Sequence, residues 1–145
     1  MSHSAADLAI LLADDEPFAR AMLVKMLEAL GFTQVVPCAN GAVAWTAIET
    51  ALRQDSPFDL VISDWRMPEI DGVKLLTRIR RHERTNDLPF ILLTGLHEAD
   101  QVSEAIALGV TDYIVKPPSI DTLKTKLERI LQIALVPAKK AAGAP

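Results

Sequence analysis

The chain has almost no cysteine. The lone thiol, Cys38, excludes an internal disulfide and any cysteine-based zinc site, and reads as a small buried apolar residue. No apolar run reaches the roughly 18 residues that a membrane span needs. The start, MSHSAADLAI, lacks a basic region followed by an apolar signal core. A cytoplasmic protein with no membrane partner is therefore expected. Positive charge is not in excess either: 15 Lys and Arg stand against 19 Asp and Glu, and the net charge of −4 gives no field for nucleic acid. Repeats, low-complexity core segments and a GxxxxGK[ST] phosphate loop are also missing. The histidines are scattered: His3 lies in an end, His82 follows a basic helical segment and reads as solvated, and His97 has no second histidine beside it to hold a metal.

What is present is an alternation of short apolar runs and helical periodicities, the mark of an α/β sheet with parallel strands. At 145 residues the chain is long enough for one domain with a good core. Strands are predicted over 8–12, 34–38, 58–63, 90–93 and 112–115. The near-continuous apolar character of FDLVIS fits a strand covered on both faces. Helices are predicted after Pro17, from Asn40-Gly41 through Leu52, after Asp71-Gly72 to the basic run Arg78, Arg80 and Arg81, over 98–108, and after Ser119. Five strand–helix units with right-handed crossovers make a three-layer α/β sandwich. The basic run reads as a solvated helix end rather than a nucleic-acid site. Residues 1–6 and 136–145 are expected to be unstructured ends of a domain over 7–135.

The chemistry gathers at the strand ends. Asp14 and Asp15 follow the first run, Asp64 the third, Thr94 the fourth and Lys116 the fifth, while Asp59 precedes its strand and stands apart. Parallel strands share one carboxyl edge, where open α/β sheets bind ligands. Adjacent acids alone fit a solvated loop or a helix N-cap, and Asp64 with Lys116 fits an ordinary ion pair. The matched positions of the whole set favour a joint site. Neighbouring carboxylates raise one another's pKa unless a cation neutralises them, and magnesium takes hard oxygen ligands and keeps some waters. Asp15 and Asp64 could ligate it directly, Asp14 through a water, and the Arg66 backbone carbonyl is within reach. The Asp64 carboxylate could attack phosphorus to give an acyl phosphate, with Lys116 and the hydroxyl of Thr94 on the phosphoryl oxygens.

The segments ADDE at 13–16, DWRMPEIDG at 64–72, LLTG at 92–95 and DYIVKP at 112–117 resemble the receiver domain of two-component response regulators, most of all its single-domain chemotaxis type. The likeness runs over residues 8–134. It implies a flavodoxin-like five-stranded sheet in the order 2-1-3-4-5. It further implies Asp64 as phosphoacceptor, Asp14 and Asp15 as the acidic pair that organises Mg2+, Lys116 as the lysine that senses the phosphoryl group, Thr94 and Tyr113 as a switch pair, and a cis peptide before Pro117. The implied donor is a histidine kinase or a histidine phosphotransfer protein. The implied output is a downstream protein target met by the fourth helix, fifth strand and fifth helix, where Val102 and Tyr113 would supply apolar surface and Lys126 and Arg129 positive charge. Pro118 departs from the family's usual aromatic. Arg66 and Leu96 occupy positions that adjust acyl-phosphate lifetime in the family, so no lifetime carries over.

With no output domain after the fifth helix, the expectation is a stand-alone adaptor, a monomer or weak dimer. The alternative is a phosphate shuttle or sink. A magnesium-dependent phosphatase is disfavoured, because Arg66 stands where the haloacid-dehalogenase type has a second acid. The protein is thus expected to assist only its own phosphorylation and dephosphorylation.

Overall fold

The computed structural model describes residues 4–95 and 102–135. Five strands, β1 (Ala9–Ala13), β2 (Gln34–Cys38), β3 (Leu60–Asp64), β4 (Phe90–Thr94) and β5 (Asp112–Val115), form one sheet in the order β2-β1-β3-β4-β5. All neighbours are parallel. The helices α1 (Pro17–Ala29), α2 (Gly41–Arg53), α3 (Gly72–Arg81), α4 (Val102–Ala107) and α5 (Ile120–Leu131) alternate with them.

Side chains of a strand point alternately to its two faces, and this divides the core in two. Leu11, Val61, Phe90 and Leu92 face α2, α3 and α4. Ile10, Leu12, Ile62, Ile91, Leu93 and Ile114 face α1 and α5. The inner strands β3 and β4 are buried at every position, whereas β2 is largely exposed. Pro37 lies in β2, the edge strand, where a missing N–H does least harm.

Local signals set the helix starts. Glu16 caps α1 by accepting from the N–H groups of Phe18 (3.1 Å) and Ala19 (2.7 Å), with Pro17 in the first turn. Asn40, Asp71 and Ser119 cap α2, α3 and α5 through bonds from the N–H groups of Val43, Lys74 and Thr122. The strands shift by one or two residues from the predicted β1 and β3, because pairing at the carboxyl edge carries Ala13 and Asp64 into the ladder.

The expected unstructured start does not extend to residues 4–6. Ala5–Asp7 form a 3-10 turn, and Ala5 is buried in the core layer beneath α1 and α5. The Ser4 N–H closes the turn on the Asp7 carboxylate at 3.0 Å. Residues 1–3 and the tail over 136–145 lie outside the described residues, as do Leu96, His97 and the predicted helical stretch 98–101.

Candidate acidic site at the carboxyl edge of the sheet

Strand register aligns the polar residues. Ala13 lies opposite Ser63, so Asp14, one residue on, is level with Asp64. Asp64 lies opposite Leu93, and Thr94 opposite Val115, which sets Lys116 one step further along the same edge. Backbone bonds continue past the strands: Asp14 N–H to the Cys38 carbonyl (3.0 Å), Trp65 N–H to Leu93 (3.0 Å) and Lys116 N–H to Thr94 (2.7 Å). These bonds hold the loops that carry the site.

One carboxylate oxygen each from Asp14, Asp15 and Asp64 falls within 4.8 Å of the others. Asp14 and Asp64 are buried and Asp15 is exposed. Lys116 Nζ lies 2.8 Å from Asp64 Oδ2. Asp14 Oδ1 accepts from the Glu16 N–H at 2.9 Å. Its other oxygen, Oδ2, is the buried side-chain oxygen or nitrogen left without a hydrogen-bond partner among the described residues. Burial pushes the Asp14 carboxyl above the ordinary range; the Glu16 N–H works against this, and the charge of Asp64 adds to it. A buried carboxylate with an unpartnered oxygen, clustered with two further carboxylates, is what a divalent cation would complete, so the donor set fits Mg2+.

Several contacts were not legible beforehand. Arg20 Nη1 donates to the Asp14 carbonyl at 2.8 Å and steadies the β1–α1 loop. Gly72 leaves no room for a side chain: a Cβ there would stand 2.3 Å from the Asp64 carbonyl oxygen. Thr94 is fully buried, and its hydroxyl donates to the Gly95 carbonyl at 2.9 Å. The Lys116–Pro117 peptide, by contrast, is cis as the family likeness implied. Arg66 is exposed in the loop after β3. Trp65 is buried in the core layer beneath α2 and α3.

On the α4/β5/α5 face, Tyr113 is 36% exposed, with Lys126 Nζ 5.4 Å from its ring centroid. Val102 does not supply surface: it is 6% exposed, because the inner side of α4 presses it with Ala105 into the core. The large exposed apolar residue of α4 is Ile106, at 60%. Lys126 and Arg129 are not bare positive charge either, since both pair with Asp112, Lys126 at 2.8 Å. Burial alone would raise the Asp112 carboxyl, but the Lys126 hydrogen bond and the Tyr113 N–H hold it below its usual range. His82 is likewise less solvated than expected: it is half-buried, accepts from the Arg84 N–H at 3.1 Å and sits edge-on to Trp45.

The profile described as "Response regulator receiver domain" matches residues 10–128. The chain belongs to the response regulator receiver domain family. It is 34% identical over 123 residues to the chemotaxis protein CheY of Pseudomonas aeruginosa, covering 85% of this chain and 95% of that one. It is 36% identical over 126 residues to the chemotaxis protein CheY-3 of Vibrio cholerae, covering 87% and 93%. Among solved structures, Vibrio cholerae CheY4 superposes with a TM-score of 0.72 at 31% identity, covering 85% and 98%. The receiver domain of a Pseudomonas aeruginosa sensor histidine kinase, with magnesium coordinated in its active-site cleft, superposes with a TM-score of 0.73 at 29% identity, covering 87% and 98%. As a receiver domain of CheY-like response regulators, the chain is a two-component signalling protein. No helix among the described residues is long and apolar enough to cross a membrane.

Proposed function

We propose that Asp64 accepts a phosphoryl group from a histidine kinase or a histidine phosphotransfer protein, and that the protein then acts as a chemotaxis-type adaptor in the cytoplasm. The observation that carries this reading is the buried Asp64 carboxylate, 2.8 Å from Lys116 and clustered with Asp14 and Asp15. In the transfer, an Asp64 oxygen forms a bond to phosphorus as the donor's nitrogen–phosphorus bond breaks. The released imidazole keeps the electron pair and takes up a proton. Lys116 stands where it can stabilise the phosphoryl oxygens, and Thr94 can turn its hydroxyl from Gly95 toward them. Mg2+, held by Asp14, Asp15, Asp64 and the Arg66 carbonyl, would neutralise charge shared by the carboxylates and the phosphoryl group. An apolar groove of about 490 Å³, lined by Phe18, Met22, Leu93 and Pro118, opens beside Asp14 and Lys116 and offers a donor protein a place to rest.

The adaptor reading is supported by the near full-length match to the two chemotaxis proteins. Movement of Thr94 would free space for Tyr113 and alter the α4/β5/α5 face, with no turnover of a separate substrate. Intact mass after incubation with acetyl phosphate and magnesium should show one added phosphoryl group in the wild type and none in Asp64→Asn. Undiminished labelling of Asp64→Asn would move the acceptor to another carboxylate and end this reading.

A further inference from the structure

On the side of the sheet opposite α1 and α5, α2 and α3 leave a groove of about 450 Å³ between their outer surfaces. Lys74, Arg78 and Arg81 of α3 line it. Their spacing of four and three residues places them in one stripe about 10 Å long. All three are exposed, and among the described residues none has a carboxylate at ion-pair distance. Nearby cations are used within the fold. Arg80 donates to the carbonyls of Gly109 (2.9 Å) and Leu88 (2.7 Å), and Arg84 lies 3.7 Å from Asp55.

The groove also has an aromatic and apolar lining. Trp45 is half-buried, with the Arg78 guanidinium 5.7 Å from its ring centroid and the His82 ring edge-on at 5.9 Å. Ile70, from the loop between β3 and α3, adds an aliphatic surface. Like charges four residues apart on a helix destabilise it by a few tenths of a kcal/mol. Lys74 and Arg78 stand in that relation, and an anionic occupant would relieve their repulsion.

We propose that this groove docks an acidic peptide segment of a partner protein. Its carboxylates would meet Lys74, Arg78 and Arg81, and an apolar side chain would settle against Trp45 and Ile70. A polynucleotide is a poorer match, because three cations are a short footprint for an extended, regularly charged backbone. The surface is distinct from both the acidic cleft and the α4/β5/α5 face.

The test is an amide NMR titration of the full chain with a synthetic acetylated peptide of six glutamates flanking Leu-Phe. Saturable shifts are expected across residues 41–53 and 70–82. Affinity should fall at least about tenfold in Arg78→Glu/Arg81→Glu, while labelling of Asp64 by acetyl phosphate stays at the wild-type level. The lysine counterpart of the peptide should bind that variant better than it binds the wild type. Trp45→Ala, which keeps the charges, should weaken the glutamate peptide several-fold. The proposal is overturned by shifts absent from the two helices, by unchanged affinity after charge reversal, or by tighter binding of a thymidine oligonucleotide of equal charge.

Discussion

Asp14 shows how a single residue can be poorly placed for stability and well placed for chemistry. Its buried carboxylate has one oxygen satisfied by the Glu16 N–H and one with no hydrogen-bond partner, beside two like charges. Removing the charge should relieve both the desolvation and the repulsion. Asp14→Asn is therefore expected to be more stable than the wild type by roughly 1–3 kcal/mol in urea denaturation without metal. Magnesium should stabilise the wild type and have a much smaller effect on the variant. A variant less stable than the wild type without metal would show that Asp14 is held by contacts other than those described. Asp15, exposed in the same cluster, gives no such gain, because water already screens it.

At the scale of elements, two helix starts are pressed against backbone, and glycine is required for that reason. A Cβ on Gly41, at the start of α2, would stand 2.2 Å from the Ile70 carbonyl oxygen; one on Gly72, at the start of α3, would stand 2.3 Å from the Asp64 carbonyl oxygen. Gly to Ala inside a helix ordinarily gains up to about 1 kcal/mol. Here the sign should reverse, with each substitution costing about 1–3 kcal/mol as the loop after β3 is displaced. Thermal denaturation measures that cost. Labelling by acetyl phosphate should slow more in Gly72→Ala than in Gly41→Ala, because the added methyl would press on the carbonyl of Asp64, the proposed acceptor. Equal labelling rates in both variants and the wild type would show that this loop does not set the position of Asp64.

For the molecule as a whole, the cleft and the α4/β5/α5 face are joined through adjacent strands, since Thr94 of β4 pairs with Val115 of β5, two residues beyond Tyr113. The face is a salt-bridged surface in which Asp112 of β5 ties down Lys126 and Arg129 of α5. A packed core of this kind tends to have two discrete arrangements rather than a continuum, and a phosphoryl group would shift the balance between them. With beryllofluoride and magnesium, NMR shift changes are expected along residues 102–115 and 119–131 as well as at the cleft. Relaxation dispersion should find the second arrangement as a minor state in the free protein. Changes confined to the cleft would indicate a phosphate sink and not an adaptor.

The sequence by itself determined the layered fold and the placing of Asp14, Asp15, Asp64, Thr94 and Lys116 at one edge of the sheet, because each follows or ends an apolar run and parallel strands share that edge. The helix caps at Asn40 and Ser119 were equally local, written in side chains that bond to N–H groups three residues on. Contacts between residues distant in the chain were not legible. The pairing of Asp112 with Lys126 and Arg129 depends on how α5 lies along β5, and the burial of Val102 depends on which side of α4 meets the sheet. The tight seats of Gly41 and Gly72 depend on where a loop passes. The strip of unpaired cations read as a solvated helix end; only the packing of α2 against α3 set Trp45 beside it and made a groove. Periodicity reports which side of an element is apolar, whereas the partner that covers it is decided by packing in three dimensions.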